Sequence, residues 1–204
     1  MSRHSVNKSR STARRSTQRQ ATRRQLVDAA LRVVAEHGFA GATTAAIAKA
    51  SGKAHGTVFV HFRSREALVD EVVREIGDAI SRRLAPAQGE TPAVAEVLDA
   101  HLAALAEHEV LYARLLGEAA TLPPAARARI FALQSGIAFR LRKAYERELA
   151  QGRVRRLDRT LLANTWIALT NHYLMHRDLF SPGASVVAAR RRELKAYLLE
   201  LIRA

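Results

Sequence analysis

The chain has no cysteine among its 204 residues, only ten glycines and five prolines, and aromatic side chains make up 5% of it. The first absence removes disulfide scaffolds, thiolate zinc sites and cysteine nucleophiles together. The scarcity of turn formers and of β-favouring aromatics argues against a sandwich or barrel, and the abundance of Ala, Leu, Arg and Glu favours helices. Met1 is followed by a polar, basic stretch with no apolar region, so no secretory signal is expected. The uncharged run from Leu161 to Met175 is too short for a bilayer span and contains Asn164, Thr165, Thr170 and Asn171. A soluble, cytoplasmic protein that does not bind membranes is expected.

Acidic residues are also missing from the first 24 positions, which hold Arg3, Lys8, Arg10, Arg14, Arg15, Arg19, Arg23 and Arg24. The whole chain carries 33 Lys and Arg against 19 Asp and Glu, a formal net charge of +14. A field of this sign attracts polyanions, either nucleic acid or an anionic surface.

Residues 1–20 lack apolar periodicity and are read as a disordered basic arm, because they bury too little to offset the entropy of ordering. Leu26, Ala30, Val33 and Val34 then recur at helical spacing up to Gly38, which is placed to end the helix. Thr43 and Thr44 can cap a short helix carrying Ile47 and Ala48 that stops at Ser51-Gly52, and a second short helix follows from Lys53 to Phe62. Ser64 caps a longer one, with Leu68, Val72, Ile76 and Ile80 four residues apart. Pro86 to Pro92 is the best internal boundary, giving an N-terminal unit over 21–84 and a larger helical region over 85–204. The fold class is all-α with about nine helices.

A helix, a glycine turn and a second helix form a layout that props one helix outward, where its side chains reach a major groove. Ile47, Val58 and Phe62 would fill the space between the two helices. Lys53, His55, Gly56, Thr57, Phe59 and His61 then remain outside, supplying hydrogen-bond donors for phosphates and base edges and a ring for a sugar or a thymine methyl.

Gly56, Thr57, Val58, Phe59, Val60, His61 and Phe62, followed by Arg65 and Leu68, resemble the G-T-L-Y-x-H-F pattern of the TetR family of bacterial transcriptional repressors. Thr43, Thr44, Ile47, Ala48, Ala50, Gly52 and the Gly38-Phe39 pair fit in the same register. The resemblance covers about residues 22–84 and implies DNA contacts from Thr43, Thr44, Lys53, His55, Gly56, Thr57, Phe59, His61 and Arg65. The family often has Val at Lys53, Ser as a helix cap at Ala54 and Tyr at Phe59.

The resemblance further implies a C-terminal region that holds a small-molecule effector and pairs two subunits. A two-fold symmetric operator needs two reading helices about one helical turn apart, hence a homodimer. Leu162, Leu169, Leu194, Leu198 and Leu201 are the expected dimer contacts, with intramolecular core as the alternative for each. His101, Leu105, Tyr112, Phe139, Trp166, Thr170 and Tyr173 would line an effector pocket, an apolar wall with a few polar groups.

No cofactor is expected, and no enzyme. The chain has no G-x-S-x-G, Walker loop or H-E-x-x-H, so a helical metal-dependent enzyme would rest on the pairs His101/His108 and His172/His176 alone. A sequence-nonspecific nucleic-acid-compacting protein is the remaining alternative to an effector-released repressor.

Overall fold

The computed structural model describes residues 3–84 and 92–204, with side chains described from residue 14 onward. Among these residues the regular structure is helical: α1 (Arg3–Gly41), α2 (Thr44–Ser51), α3 (His55–His61), α4 (Arg65–Arg83), α5 (Val94–Glu107), α6 (Glu109–Gly117), α7 (Pro124–Ala150), α8 (Arg159–Met175), α9 (Arg177–Phe180) and α10 (Val186–Ile202), with one 3-10 turn at Ala119–Thr121. Ten α-helices thus stand where about nine are expected. The four-residue α9 has too few residues to show a periodicity.

Two compact units are present, Met1–Val72 and Val73–Ala204. The division falls inside α4 and not at residue 85. The reason is that α4 is apolar on every turn: Leu68, Val69 and Val72 are buried at one end, and Val73, Ile76 and Ile80 at the other. The breaker cluster expected from Pro86 onward lies, apart from Pro92, outside the described residues.

In the first unit the stripe Leu26, Val27, Ala30, Val33 and Val34 of α1 is buried, together with Ile47 and Ala48 of α2 and Val58 of α3. Each such Leu, Val or Ile contributes about 1.5–3 kcal/mol. At Gly38 the backbone leaves the helix (φ 70, ψ 179), a conformation that glycine adopts at low cost. The next residue, Phe39, is buried in the core.

One expectation is corrected here. The segment up to residue 20 is helical, since α1 begins at Arg3. No glycine or proline precedes Gly38. The packed turns from Leu26 onward supply the helix nucleus, after which Arg, Gln and Ala extend it at small cost per residue. Side chains 14–21 are exposed, so this stretch remains helical without burying a hydrophobic face.

In the second unit α7 packs on α5 and α8, and α10 packs on the same two helices. Leu98, Leu102, Leu141, Trp166 and Leu198 are fully buried among them. The buried Glu109 carboxylate, at the start of α6, accepts hydrogen bonds from Ser185 Oγ and from the Val186 and Val187 amides, at 2.5, 3.0 and 3.2 Å. It thereby satisfies donors at the N-terminus of α10 that have no intrahelical partner.

Candidate nucleic-acid interface

The Thr43 hydroxyl accepts from the Ala46 amide at 3.1 Å and starts α2. Gly52 ends it in the left-handed region (φ 66, ψ 26), its own amide turned back to the carbonyls of Ala48 and Lys49. The chain is thereby redirected within three residues into α3. That helix has no side-chain cap at Ala54, the position where the family pattern often has serine. Its place is set by Val58, which is fully buried, and by Phe62, which is 2% exposed.

With Val58 facing inward, α3 turns its other residues outward. His55, Gly56, Phe59 and Val60 are exposed, and Lys53, Thr57 and His61 are half-buried. Phe59 is 49% exposed, although a large ring normally seeks cover. The His55 ring meets Phe59 edge-on at 5.3 Å, and His55 Nε2 pairs with Thr44 Oγ1 at 2.9 Å. Thr44, His55 and Phe59 therefore form one ordered polar and aromatic ridge across α2 and α3. Burial, and after it the charges of Arg19 and Arg23, hold the His61 imidazole below its ordinary value. Both guanidinium groups thus disfavour the charged form of His61.

Two of the expected DNA contacts have partners within this unit. The Arg65 guanidinium donates to the carbonyls of Phe39 and Ala42, closing the corner after α1. The Thr43 hydroxyl is occupied as the α2 cap. Sequence reasoning also missed Arg23 as a clamp, counting it only among the basic charges of the first 24 positions. Its guanidinium donates to the His61 carbonyl at 2.9 Å, pairs with Glu71 at 3.0 Å and lies over the Phe62 ring at 4.2 Å. Helical register offers a faint signal for it, since Arg23 lies three residues before Leu26 on the buried stripe.

In the second unit the expected pocket residues divide. His101, Leu105, Tyr112, Trp166 and Thr170 are buried. The Trp166 indole N–H donates to His101 Nδ1 at 2.9 Å, and the Tyr112 hydroxyl, hydrogen-bonded to Gln134, is pushed upward by burial. Burial alone lowers the His101 imidazole to about 4. Its Nε2 is buried and has no partner in the protein, which for a buried donor costs about 1–3 kcal/mol. Phe139 departs from this group, being 60% exposed on α7. Tyr173 is half-buried and stacks on Phe180 at 4.4 Å. A cavity of about 230 Å³ between α4 and α7, lined by Val73, Gly77, Ser81, Arg129, Ala132 and Leu133, includes none of the expected lining residues.

The expected dimer contacts divide in the same way. Leu162, Leu194 and Leu198 are buried within the chain, and Leu169 and Leu201 are half-buried. The leucine stripes of α8 and α10 face the chain's own core because α5 and α7 cover them. The outer faces carry Leu161, Ala168 and Met175 on α8 and Ala189 and Ala196 on α10, all exposed at heptad spacing.

Among the described residues no three His, Asp or Glu side chains gather as a metal site, and no helix is long and apolar enough to cross a membrane.

The first unit is thus a helix-turn-helix module. Residues 26–72 match the model of the bacterial regulatory proteins, tetR family. The fatty acid metabolism regulator protein of Bacillus subtilis is 36% identical over 59 residues, 28% of this chain and 30% of the relative. The aligned segment therefore spans less than a third of that relative's length. Two solved structures share the fold over nearly the whole length. A putative transcriptional regulator from Saccharomonospora viridis in complex with choline has a TM-score of 0.76 at 20% identity, covering 91% of this chain and 99% of that one. The transcriptional regulator FadR from Bacillus subtilis in complex with stearoyl-CoA has a TM-score of 0.69 at 22% identity, covering 88% and 98%.

Proposed function

We propose that this protein is a transcriptional repressor that binds a two-fold symmetric operator as a homodimer and is released by a small-molecule effector. The observation that carries the reading is the outward ridge of α3, held in place by Val58 and Phe62 while His55, Thr57 and Phe59 face away from the core. A helix presented in this way fits a major groove. Arg14, Arg15 and Arg19, on the exposed start of α1, supply charge for backbone phosphates. Support for an effector comes from two fold neighbours described in complex with choline and with stearoyl-CoA. The unbroken α4 is the natural carrier of the coupling, because it contributes buried residues to both units. An effector would act through its differential affinity for the two arrangements of the reading units.

The test is selection of duplexes from a random pool by the purified chain. Half-sites related by two-fold symmetry should be enriched, binding about 4–10 kcal/mol more tightly than random duplex. Equal retention of all sequences would overturn the repressor reading in favour of a compacting protein.

Dimerisation is assigned to the outer heptad faces of α8 and α10. Ala168→Arg combined with Ala196→Arg places like charges across the two-fold axis while leaving the buried leucines untouched. The expected result is a monomer by sedimentation with the helical content unchanged, and operator affinity at least about 100-fold weaker because the two half-sites are no longer linked. A double variant that still sediments as a dimer would move the interface elsewhere.

A further inference from the structure

The least explained group in the second unit is His101. Its Nδ1 accepts from the Trp166 indole, so in the neutral ring the proton sits on Nε2. That N–H is buried and finds no acceptor in the protein, whereas buried donors are almost always paired. On α5, Leu98 and Leu105 share the His101 face at the preceding and following turns, and Leu162 and Thr170 flank Trp166 on α8 in the same way. The Thr170 hydroxyl hydrogen is turned back onto the Trp166 or Ile167 carbonyl of its own helix. The side chains one turn away on the same faces, Leu98, Leu105 and Leu162, carry no acceptor for the His101 N–H. A molecule that brings its own acceptor on an apolar body would supply the missing partner.

We infer that His101 is the anchor of a buried effector site and that its Nε2–H donates to a carbonyl oxygen of a neutral, largely apolar ligand of the ketone or ester class. This rests on the effector reading above. Because burial keeps the imidazole neutral down to about pH 4, the site offers a dipole and no cation, and so disfavours a free carboxylate. Donation from Nε2 also makes Nδ1 a stronger acceptor, which ties the site to Trp166.

Trp166 is the single tryptophan of the chain, so its indole N–H gives one resonance and its emission one signal. The probe is 2-decanone, with decane as the partner lacking an acceptor and decanoate as the charged one, titrated into the full chain at pH 7. 2-Decanone should bind saturably, move the Trp166 indole resonance and raise Tm, at least about 10-fold more tightly than either control. In His101→Phe, which keeps a ring and removes the N–H, the preference for ketone over alkane should vanish while the fold is kept. The proposal is overturned if ketone and alkane bind alike, if 2-decanone does not bind, or if the preference survives in His101→Phe. The wild-type comparison decides the matter even should that variant fail to fold. Operator release is read in the same titrations. Ketone binding at Trp166 without release would sustain the anchor and count against the effector reading, and release by a probe that leaves Trp166 unmoved would do the reverse.

Discussion

Replacing His55 and Thr57 together by alanine should weaken operator binding by about 100-fold or more while leaving Tm nearly unchanged. Base-edge or phosphate contacts from side chains in a groove are worth about 1–3 kcal/mol each, and two lost together reach that range. Stability is insensitive because His55 is exposed and Thr57 half-buried, and neither anchors α3, which is held through Val58 and Phe62. The internal contacts at risk are the hydrogen bond between His55 and Thr44 and the edge contact of His55 on Phe59. Titration of the selected operator, alongside thermal unfolding, checks both halves of this expectation. Lys53→Ala provides an internal comparison: it should cost affinity on all sequences alike and reduce the salt slope by about one phosphate contact. An unchanged operator affinity in the double variant would show that α3 is not the reading helix.

The second large effect concerns stability. Glu109→Ala should destabilise the second unit by about 3–5 kcal/mol, since it strands the Ser185 hydroxyl and the two amides that open α10 in a buried site. Glu109→Gln, which keeps one acceptor oxygen, should cost markedly less. Urea unfolding of the two variants gives the comparison, and a loss below about 0.5 kcal/mol in the alanine variant would mean that α10 is held by its apolar contacts alone.

What the sequence revealed follows the range of the interactions involved. The helix-turn-helix is built from neighbours: a threonine hydroxyl reaching an amide three residues on, a glycine in the left-handed region, a valine between two polar faces. Local chemistry of that kind is legible directly. The internal partners of Arg65 and Arg23 are not legible in this way, because their acceptors are main-chain carbonyls 23–38 residues away, which carry no side-chain signature. Glu109 went unnoticed for the same reason, its partners lying 76–78 residues on. The dimer leucines illustrate a different gap. Periodicity identifies the apolar side of a helix without saying whether the chain itself or a second copy covers it. In α8 and α10 the chain itself covers Leu162, Leu194 and Leu198. Phe139 shows the converse, an aromatic side chain on a long helix that points away from the core. The N-terminal stretch shows that a polar segment can remain helical where it continues a packed helix.

The seven residues of α3 amount to two turns, far fewer than an isolated helix needs to persist, and their first amides receive no side-chain oxygen. Its order is borrowed from two apolar pegs. Amide hydrogens there should therefore swap with deuterium sooner than those of α1 or α7, through brief breathing that leaves the rest of the module intact. Contact with a duplex would quench this breathing, so part of the attraction for any sequence is spent on stiffening the reader, and a mismatched site that fails to stiffen it is shed quickly.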